Sequence, residues 1–172
     1  TNAHSTEAPI SVIDLELSSV RQEKSLMLCE ASLHEFFKAS WPYIEGDMPY
    51  TDSWYIQAIA EHLEAVYERQ IKKLIINVPP RTGKTNLISI AFPAWVWLRN
   101  PCERFLTVSC VNSLSLEHAT RSRALIESSW YQDHWGSKFP LLKDQNVKSF
   151  FQNSKSGYRQ STSVVSKTVG KG

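Results

Sequence analysis

The sequence predicts an α/β fold in which a doubly wound, mainly parallel sheet follows a helical arm. Two observations predict this class. From about residue 50 onward, apolar β-branched segments alternate with segments of helical periodicity, an order that implies parallel strands with right-handed crossovers. The first of these strands also runs directly into a Gly-Lys-Thr turn. We therefore predict a helical arm at residues 1–49 and an incomplete α/β core at residues 50–172.

The first predicted element is a helix in the arm. Ser18 or Ser19 can cap this helix, which is expected to run to about Ser40 and to end at Trp41-Pro42. Apolar residues recur along it at helical spacing, so one face is expected to be buried. The expected buried residues are Val20, Leu26, Leu28, Leu33, Phe36 and Phe37.

A second helix is predicted between the arm and the first strand. Residues 46–49 form a connection, after which Thr51 or Asp52 can cap the helix. The apolar residues that recur at helical spacing along it are Ile56, Ile59, Ala60, Leu63 and Val66.

The strongest chemical signal is the turn at residues 79–85, which follows an apolar strand predicted at residues 74–78. The phosphate-binding signature is G-x-x-x-x-G-K-[ST], and Val78 stands where its first glycine belongs. The order of strand, loop and helix still favours a phosphate site, because main-chain N–H groups and the helix dipole converge on such a turn. We therefore expect a P-loop NTPase that binds a nucleoside triphosphate.

Each residue type in this turn has a role at a phosphate. Its two prolines have no N–H, so the donors must come from the next five residues, Arg81, Thr82, Gly83, Lys84 and Thr85. Lys84 supplies a charge for the β and γ phosphates, and the Thr85 hydroxyl can ligate Mg²⁺. Arg81 is suited to stabilise γ-phosphate charge, the alternatives being a solvated loop charge or a pair with a carboxylate. Arg81 and Lys84 are the predicted catalytic residues.

Sulfotransferase-type enzymes offer another reading of this turn. They hold a phosphorylated nucleotide with a Pro-x-x-Gly-x-Thr turn that needs no lysine directly after the glycine. Because Lys84 follows Gly83 directly, the sequence favours a nucleoside triphosphate.

The predicted elements after the turn complete the α/β pattern. The loop helix is expected at residues 85–98, with a kink or division at Pro93. Further elements follow in this order: a buried strand at 104–109, a helix at about 113–128, and an antiparallel hairpin with strands at 147–152 and 158–165.

The carboxylates that hydrolysis requires are not found near these elements. Hydrolysis needs an acid at the end of a second strand to hold the Mg²⁺ shell, and usually a neighbouring carboxylate that activates water. No apolar run after residue 85 ends in Asp or Glu. The one run of that form, Val12-Ile13-Asp14, lies upstream of the turn and is interpreted as an exposed segment or a helix lead-in.

Composition excludes several classes of protein. Cys29, Cys102 and Cys110 form no CxxC pair and the five histidines show no ligand spacing, so neither a disulfide framework nor a zinc motif is indicated. The first 16 residues lack a signal-peptide pattern, and the longest apolar stretch, residues 90–98, is too short to span a bilayer. We expect a cytoplasmic protein with no membrane partner.

Charge is distributed unevenly along the chain. Residues 1–68 carry a net charge of −9, whereas residues 69–172 hold sixteen basic against five acidic residues, a net of +11. The excess predicts a polyanion partner such as nucleic acid. An ordinary solvated face, or docking of the basic half onto the acidic half, explains the same charges.

Several segments resemble one protein family. The segments KKLIINVPPRTGKT, FPAWVWLRNP, RFLTVSC, LIESSWYQDHWG, DQNVKSFFQN and GYRQSTSV are similar to the N-terminal ATPase region of the large terminase subunit of tailed bacteriophages. The resemblance covers residues 50–172 and is weak over the first 50. Many family members share a Pro-Pro-Arg-x-Gly-Lys-[Ser/Thr] loop without the leading glycine, so Val78 agrees with the family.

This resemblance implies a DNA-packaging ATPase in the cytoplasm of an infected bacterium, with ATP and Mg²⁺ as cofactors. The implied partners are double-stranded DNA, the portal protein, the small terminase subunit and further copies in a ring. Arg81 would couple hydrolysis to movement, and residues 54–57 would lie near the adenine. Family members continue beyond the segment at residues 168–172 into a strand that ends in paired acids, and later into a nuclease. These 172 residues are therefore expected to bind ATP without efficient hydrolysis.

Two other functions fit the sequence. A helicase-like, nucleic-acid-dependent ATPase shares the strand order and the basic half, and a second motor domain in the downstream sequence would distinguish it. A non-catalytic assembly module would keep the fold without binding nucleotide, and stabilisation by ATP would count against it.

Overall fold

A computed structural model describes residues 12–142 and 147–164 of the 172-residue chain. This part of the chain is mainly helical and contains a small sheet. The helices are α1 Val12–Ala31, α2 Leu33–Glu45, α3 Trp54–Tyr67, a π-helix Asn86–Ala91, α4 Phe92–Arg99, α5 Asn112–Glu127 and α6 Ser129–Trp135. The strands are β1 Phe105–Ser109, β2 Phe150–Gln152 and β3 Tyr158–Ser163.

The arm contains two helices where the sequence predicted one. The break is at Ser32, whose extended backbone makes it the N-cap of α2, and its side chain accepts a hydrogen bond from the Glu35 N–H. Pro42 does not end the helix as predicted but lies inside it, because burial of the apolar face of α2 outweighs the loss of one main-chain donor. The helix ends at Glu45, before Gly46, whose positive φ of 62° favours glycine.

The buried face of the arm is only partly the predicted one. Leu33, Phe36 and Phe37 are fully buried, which confirms that part of the prediction. Val20 and Leu28 were predicted to be buried but are 60% and 45% exposed. The physical reason is the break between α1 and α2, because the apolar residues of two separate helices do not form one continuous stripe.

The helix α3 forms close to its predicted position. It begins at Trp54 after the N-cap residue Ser53, instead of after Thr51 or Asp52. The Asp52 carboxylate nevertheless accepts a hydrogen bond from the Ser53 N–H at 2.9 Å. The predicted apolar face is confirmed at four of its five positions, since Ile56, Ile59, Ala60 and Leu63 are buried.

The core is rich in aromatic side chains. Three buried indole N–H groups each donate a hydrogen bond. The Trp95 indole donates to the Cys29 carbonyl, and the Trp97 indole donates to the Glu103 carbonyl. The third, on Trp135, donates to the Glu30 carboxylate. The fully buried aromatic residues include Trp95, Trp97, Trp135, Tyr131, Phe36, Phe37, Phe139 and Phe151.

The described part of the sheet has three strands in the order β1-β3-β2. The predicted antiparallel hairpin is confirmed by β2 and β3, although its predicted end at residue 165 lies outside the described residues. The parallel neighbour of β3 is β1. The strand predicted at residues 104–109 forms as β1 but is not buried throughout, since Leu106 and Val108 are 60% and 50% exposed. Those two side chains share the face of β1 that no described helix covers.

Residues 74–78, predicted as the strand before the turn, pair with no described strand. Leu74, Ile76 and Val78 pack against the core, whereas Ile75 is 85% exposed. A strand requires a neighbouring backbone for its N–H and C=O groups, and an apolar run in the sequence does not supply that neighbour. The doubly wound, mainly parallel sheet therefore stays a prediction.

The predicted loop helix is not divided at Pro93: the backbone stays helical at Thr85, Ala91 and Phe92, and only the hydrogen-bond pattern changes from π to α. A π-helix forms its first part and leads directly into α4, which begins at Phe92. Pro93 supplies no N–H to the helix at this junction. π-helical turns are rare and often lie at functional sites. No helix among residues 12–142 and 147–164 is long and apolar enough to cross a membrane.

All three cysteines are free thiols. Cys29 is buried at the end of α1, whereas Cys102 and Cys110 are exposed on either side of β1. Burial raises the pKa of Cys29 to about 11, and the nearby carboxylates of Glu35 and Glu30 act in the same direction.

Candidate functional site

The turn at residues 79–85 has an unusual backbone. Arg81 and Gly83 both have positive φ, at 64° and 75°. Glycine adopts this conformation freely, but for Arg81 it costs about 1–2 kcal/mol, a strain that often marks functional loops. The Thr82 hydroxyl closes the turn by donating to the carbonyl of Pro79 at 2.9 Å.

The main chain of the turn offers free donors. The N–H groups of Arg81 and Gly83 donate to no acceptor among the described residues. The Gly83 carbonyl points the other way and accepts from the Leu87 N–H at 3.0 Å, which connects the turn to the helix that follows. Unpaired N–H groups at a helix start form a site for an anion.

A cavity of about 290 Å³ lies directly over these donors. The Lys84 ammonium lies at the base of the turn, 3.0 Å from the carbonyl of Val78, to which it donates. The five residues predicted to bind the nucleotide follow one another in the chain, and all of them line this cavity. The cavity is lined by Arg81, Thr82, Gly83, Lys84 and Thr85, together with Pro80 and Asn86.

The fit of this cavity to Mg²⁺ is partial. Mg²⁺ in nucleotide sites keeps several waters and takes one or two protein ligands besides phosphate oxygens. The Thr85 hydroxyl, at the cavity wall, fits one such position. Among the residues that the structure describes, no group of three or more His, Cys, Asp or Glu side chains could hold a metal ion.

A second cavity, of about 240 Å³, shares the residues Arg81, Thr82 and Gly83 with the first. Its aromatic wall includes Trp41 and Tyr50, whose rings meet edge to face with centroids 5.4 Å apart. The Trp41 indole is fixed by a 2.7 Å hydrogen bond to the carbonyl of Met48. The remaining lining residues are Phe37, Met48, Pro49, Thr51, Tyr55 and Ile56.

The segment at residues 54–57, expected near the adenine, is divided between two surfaces. Tyr55 and Ile56 line the cavity beside the turn. Trp54 does not; it is 82% exposed and lines a different groove, together with residues 74–78.

A polar cluster behind the turn was not predicted from the sequence. The Glu45 carboxylate accepts hydrogen bonds from Asn86 at 2.7 Å and from Arg121, and Arg121 also donates to the Ile44 carbonyl. Burial alone would raise the pKa of Glu45, but the bonds from Arg121 and Asn86 lower it below its ordinary value. The cluster ties α2 and α5 to the residue that follows Thr85. Its members are far apart along the chain, so no spacing pattern could have revealed it.

A second unpredicted contact joins β3 to the π-helix. Arg159 is only 1% exposed, and its Nη1 donates to the carbonyl of Ser89 at 2.6 Å. Its Nε and Nη2 have no partner among the described residues. Burial lowers the pKa of Arg159 to about 10. The strand and the helix that follows the turn are therefore held together by one buried guanidinium.

Ion pairs connect the acidic and basic halves of the chain. Lys138 lies 2.8 Å from Glu30, and Arg121 pairs with Glu45. Part of the basic half therefore docks onto the acidic half, which was one of the alternatives for the charge asymmetry. Lys148 and Lys155 remain exposed.

Comparisons with protein families, with curated proteins and with solved structures found no match to this chain. Its function is therefore inferred from the geometry of the turn, from the cavities beside it and from the resemblance of the segments quoted above.

Proposed function

We propose that this chain is the ATP-binding part of a viral DNA-packaging motor of the large-terminase type. The observation that carries the proposal is the turn itself, where free N–H donors and Lys84 line one cavity at a helix start. An anion in this cavity meets hydrogen-bond donors, the positive end of the helix dipole and an ammonium group together. A triphosphate has enough oxygens to contact all three at once.

The residues of the turn have distinct roles in this proposal. The N–H groups of Arg81, Thr82 and Gly83 hold phosphate oxygens. Lys84 gives up its hydrogen bond to the Val78 carbonyl and binds the β and γ phosphates instead. The Thr85 hydroxyl would ligate Mg²⁺, an ion that would neutralise charge on the phosphate oxygens. The Arg81 guanidinium stabilises charge that develops on the γ-phosphate.

The aromatic cavity is the proposed site for the base. It shares Arg81, Thr82 and Gly83 with the phosphate cavity, so one ligand can occupy both. Aromatic side chains stack on any base, and each such contact is worth about 1–3 kcal/mol. Trp41 and Tyr50 supply that surface here.

Replacing Trp41 with leucine tests the base site. We expect Trp41→Leu to weaken ATP binding about tenfold, in line with the loss of one stacking contact. The affinity for inorganic tripolyphosphate, which has no base, is expected to stay unchanged. Isothermal titration calorimetry with both ligands measures the difference.

Tyr43→Leu is the matched control, because Tyr43 lies on the same helix but stacks on Trp130 outside the cavity. Equal losses for ATP and tripolyphosphate in Trp41→Leu would show that the turn itself is disturbed. Unchanged ATP binding would remove Trp41 from the site.

The proposal as a whole is tested by direct binding to residues 1–172. A fluorescent ATP analogue with Mg²⁺ is expected to bind saturably, without appreciable turnover by this chain.

Duplex DNA is expected to bind at low salt through exposed basic residues such as Lys148 and Lys155, with an affinity that falls steeply as salt rises. Absence of saturable nucleotide binding would overturn the ATP site, and absence of duplex binding at low salt would remove DNA contact from this chain.

A further inference from the structure

We propose that α1 is a self-association helix, which pairs in parallel with α1 of a second copy of this chain. The observation behind this is the exposure of α1. At its carboxyl end Cys29 is buried, whereas Ile13 and every side chain from Glu16 to Ser25 is exposed. A helix of 20 residues is about 30 Å long, so much of α1 extends beyond the core that anchors its end.

The exposed side chains follow a heptad pattern. In a two-stranded coiled coil the contact positions, called a and d, alternate in spacing between three and four residues. Starting from Ile13 as a d position, α1 keeps this alternation over its whole length, and each of these positions is exposed. The contact positions are Ile13, Leu17, Val20, Lys24, Met27 and Ala31.

The apolar members of this seam are too exposed for a helix that faces only water. Ile13 is 67% exposed, Val20 is 60% and Met27 is 72%. Together with Leu17 they form one stripe along the helix. Burial of such a stripe against an identical stripe removes apolar surface from water on both copies at once.

Charges beside the seam specify both the partner and its direction. In a parallel pair each g position faces the e position of the following heptad on the other helix. That arrangement places Glu16 of one copy beside Arg21 of the other, twice by symmetry. An antiparallel pair would instead bring g positions together, where Glu16 and Glu23 are both acidic. The helix is therefore complementary to itself, in the parallel direction.

Lys24 restricts the number of helices that can join. It occupies an a position, and a single lysine there favours one register and a small oligomer at some cost in stability. In a pair its ammonium can leave the seam and reach Glu23 of the second copy. A larger bundle would bury several ammonium groups together.

Hydrogen bonds to the core fix the last turn of α1. The Cys29 carbonyl accepts a hydrogen bond from the Trp95 indole, and the Glu30 carboxylate accepts from Trp135 and Lys138. Nucleation is the costly step of helix formation, so a helix whose last turn is already fixed loses less entropy when the rest pairs.

Analytical ultracentrifugation of the whole chain over a concentration series tests this proposal. We expect reversible conversion from monomer to dimer as the concentration rises. The double variant Leu17→Glu with Val20→Glu, which places charges in the seam, is expected to weaken self-association at least about tenfold. The matched control carries the same charges outside the seam, as Ser18→Glu with Gln22→Glu, and is expected to associate like the parent.

A charge exchange distinguishes pairing of two α1 helices from other contacts. Glu16→Arg alone and Arg21→Glu alone are each expected to weaken the dimer several-fold, because each places like charges together across the pair. The two changes combined restore opposite charges and are expected to recover the parent affinity.

Three results would overturn the proposal: a monomer at all concentrations, a dimer that survives the seam variant, or a charge exchange that fails to restore association. Circular dichroism of every variant establishes that it is folded. Because nucleotide takes no part in these measurements, their outcome is independent of the ATP site.

Discussion

Replacing Lys84 with alanine is expected to weaken binding of MgATP to this chain about 100-fold. The substitution removes the ammonium group from the cavity over the turn, and a charge-assisted hydrogen bond to phosphate is worth about 1.5–3 kcal/mol. Its bond to the Val78 carbonyl is partly exposed, so the turn itself is expected to keep its shape. Competition titration against a fluorescent ATP analogue measures the affinity.

Lys73→Ala is the matched control, because it removes the same charge from an exposed residue upstream of the turn. Its affinity for MgATP is expected to equal that of the parent chain. Lys84→Arg adds a second comparison, since it keeps the charge but changes its shape and is expected to bind with intermediate affinity. If Lys84→Ala bound MgATP as tightly as the parent, the phosphate site would have to lie elsewhere.

Replacing Gly157 with alanine is expected to destabilise the fold by about 3 kcal/mol, the upper part of the range for an overpacked site. Gly157 is buried where β2 turns into β3, and a Cβ there would lie 2.0 Å from the carbonyl oxygen of Pro101 and 3.0 Å from that of Glu103. The Asn153 amide nitrogen would also lie only 2.8 Å away, but the nearest obstacle is main chain, so no side-chain rotation relieves the clash. Thermal unfolding is expected to shift downward by about 6–12 °C.

Ser154→Ala serves as the control in the same turn, because its side chain is exposed. Its unfolding temperature is expected to stay within about 1 °C of the parent, as for most surface substitutions. Asn153 makes the turn rigid by accepting from the N–H groups of Lys155 and Gly157 and donating to the Pro101 carbonyl. An unfolding temperature of Gly157→Ala close to that of the parent would show that this turn and the Pro101 loop can separate freely.

The turn could be located from the sequence because its geometry is local. A glycine for positive φ, a lysine directly after it and a helix start all lie within a few residues, and the structure places Gly83, Lys84 and Thr85 around one cavity. The helices α3 and α5 and the hairpin were predicted for the same reason. In each of them the periodicity or the turn residues act over a short stretch of chain.

The features that the sequence did not predict correctly depend on contacts between residues that are distant along the chain. The segment at residues 74–78 has the composition of a strand. A strand forms only beside a second strand that accepts and donates its main-chain hydrogen bonds, and composition does not identify that partner strand. The exposure of Val20 follows from a helix break at Ser32, which one capping hydrogen bond stabilises. The bond between Glu45 and Arg121 is equally invisible in a sequence, because the residues meet only after α2 and α5 have packed.

The three cysteines differ in their accessibility to thiol-reactive dyes. Thiol-reactive dyes attack the thiolate, and with a pKa of about 11 the buried Cys29 carries almost none at neutral pH. Cys102 and Cys110 are exposed and flank β1 at its two ends. Dyes on these two thiols would therefore label opposite ends of β1 without disturbing the core. The dye on Cys110 would lie where β1 leads into α5.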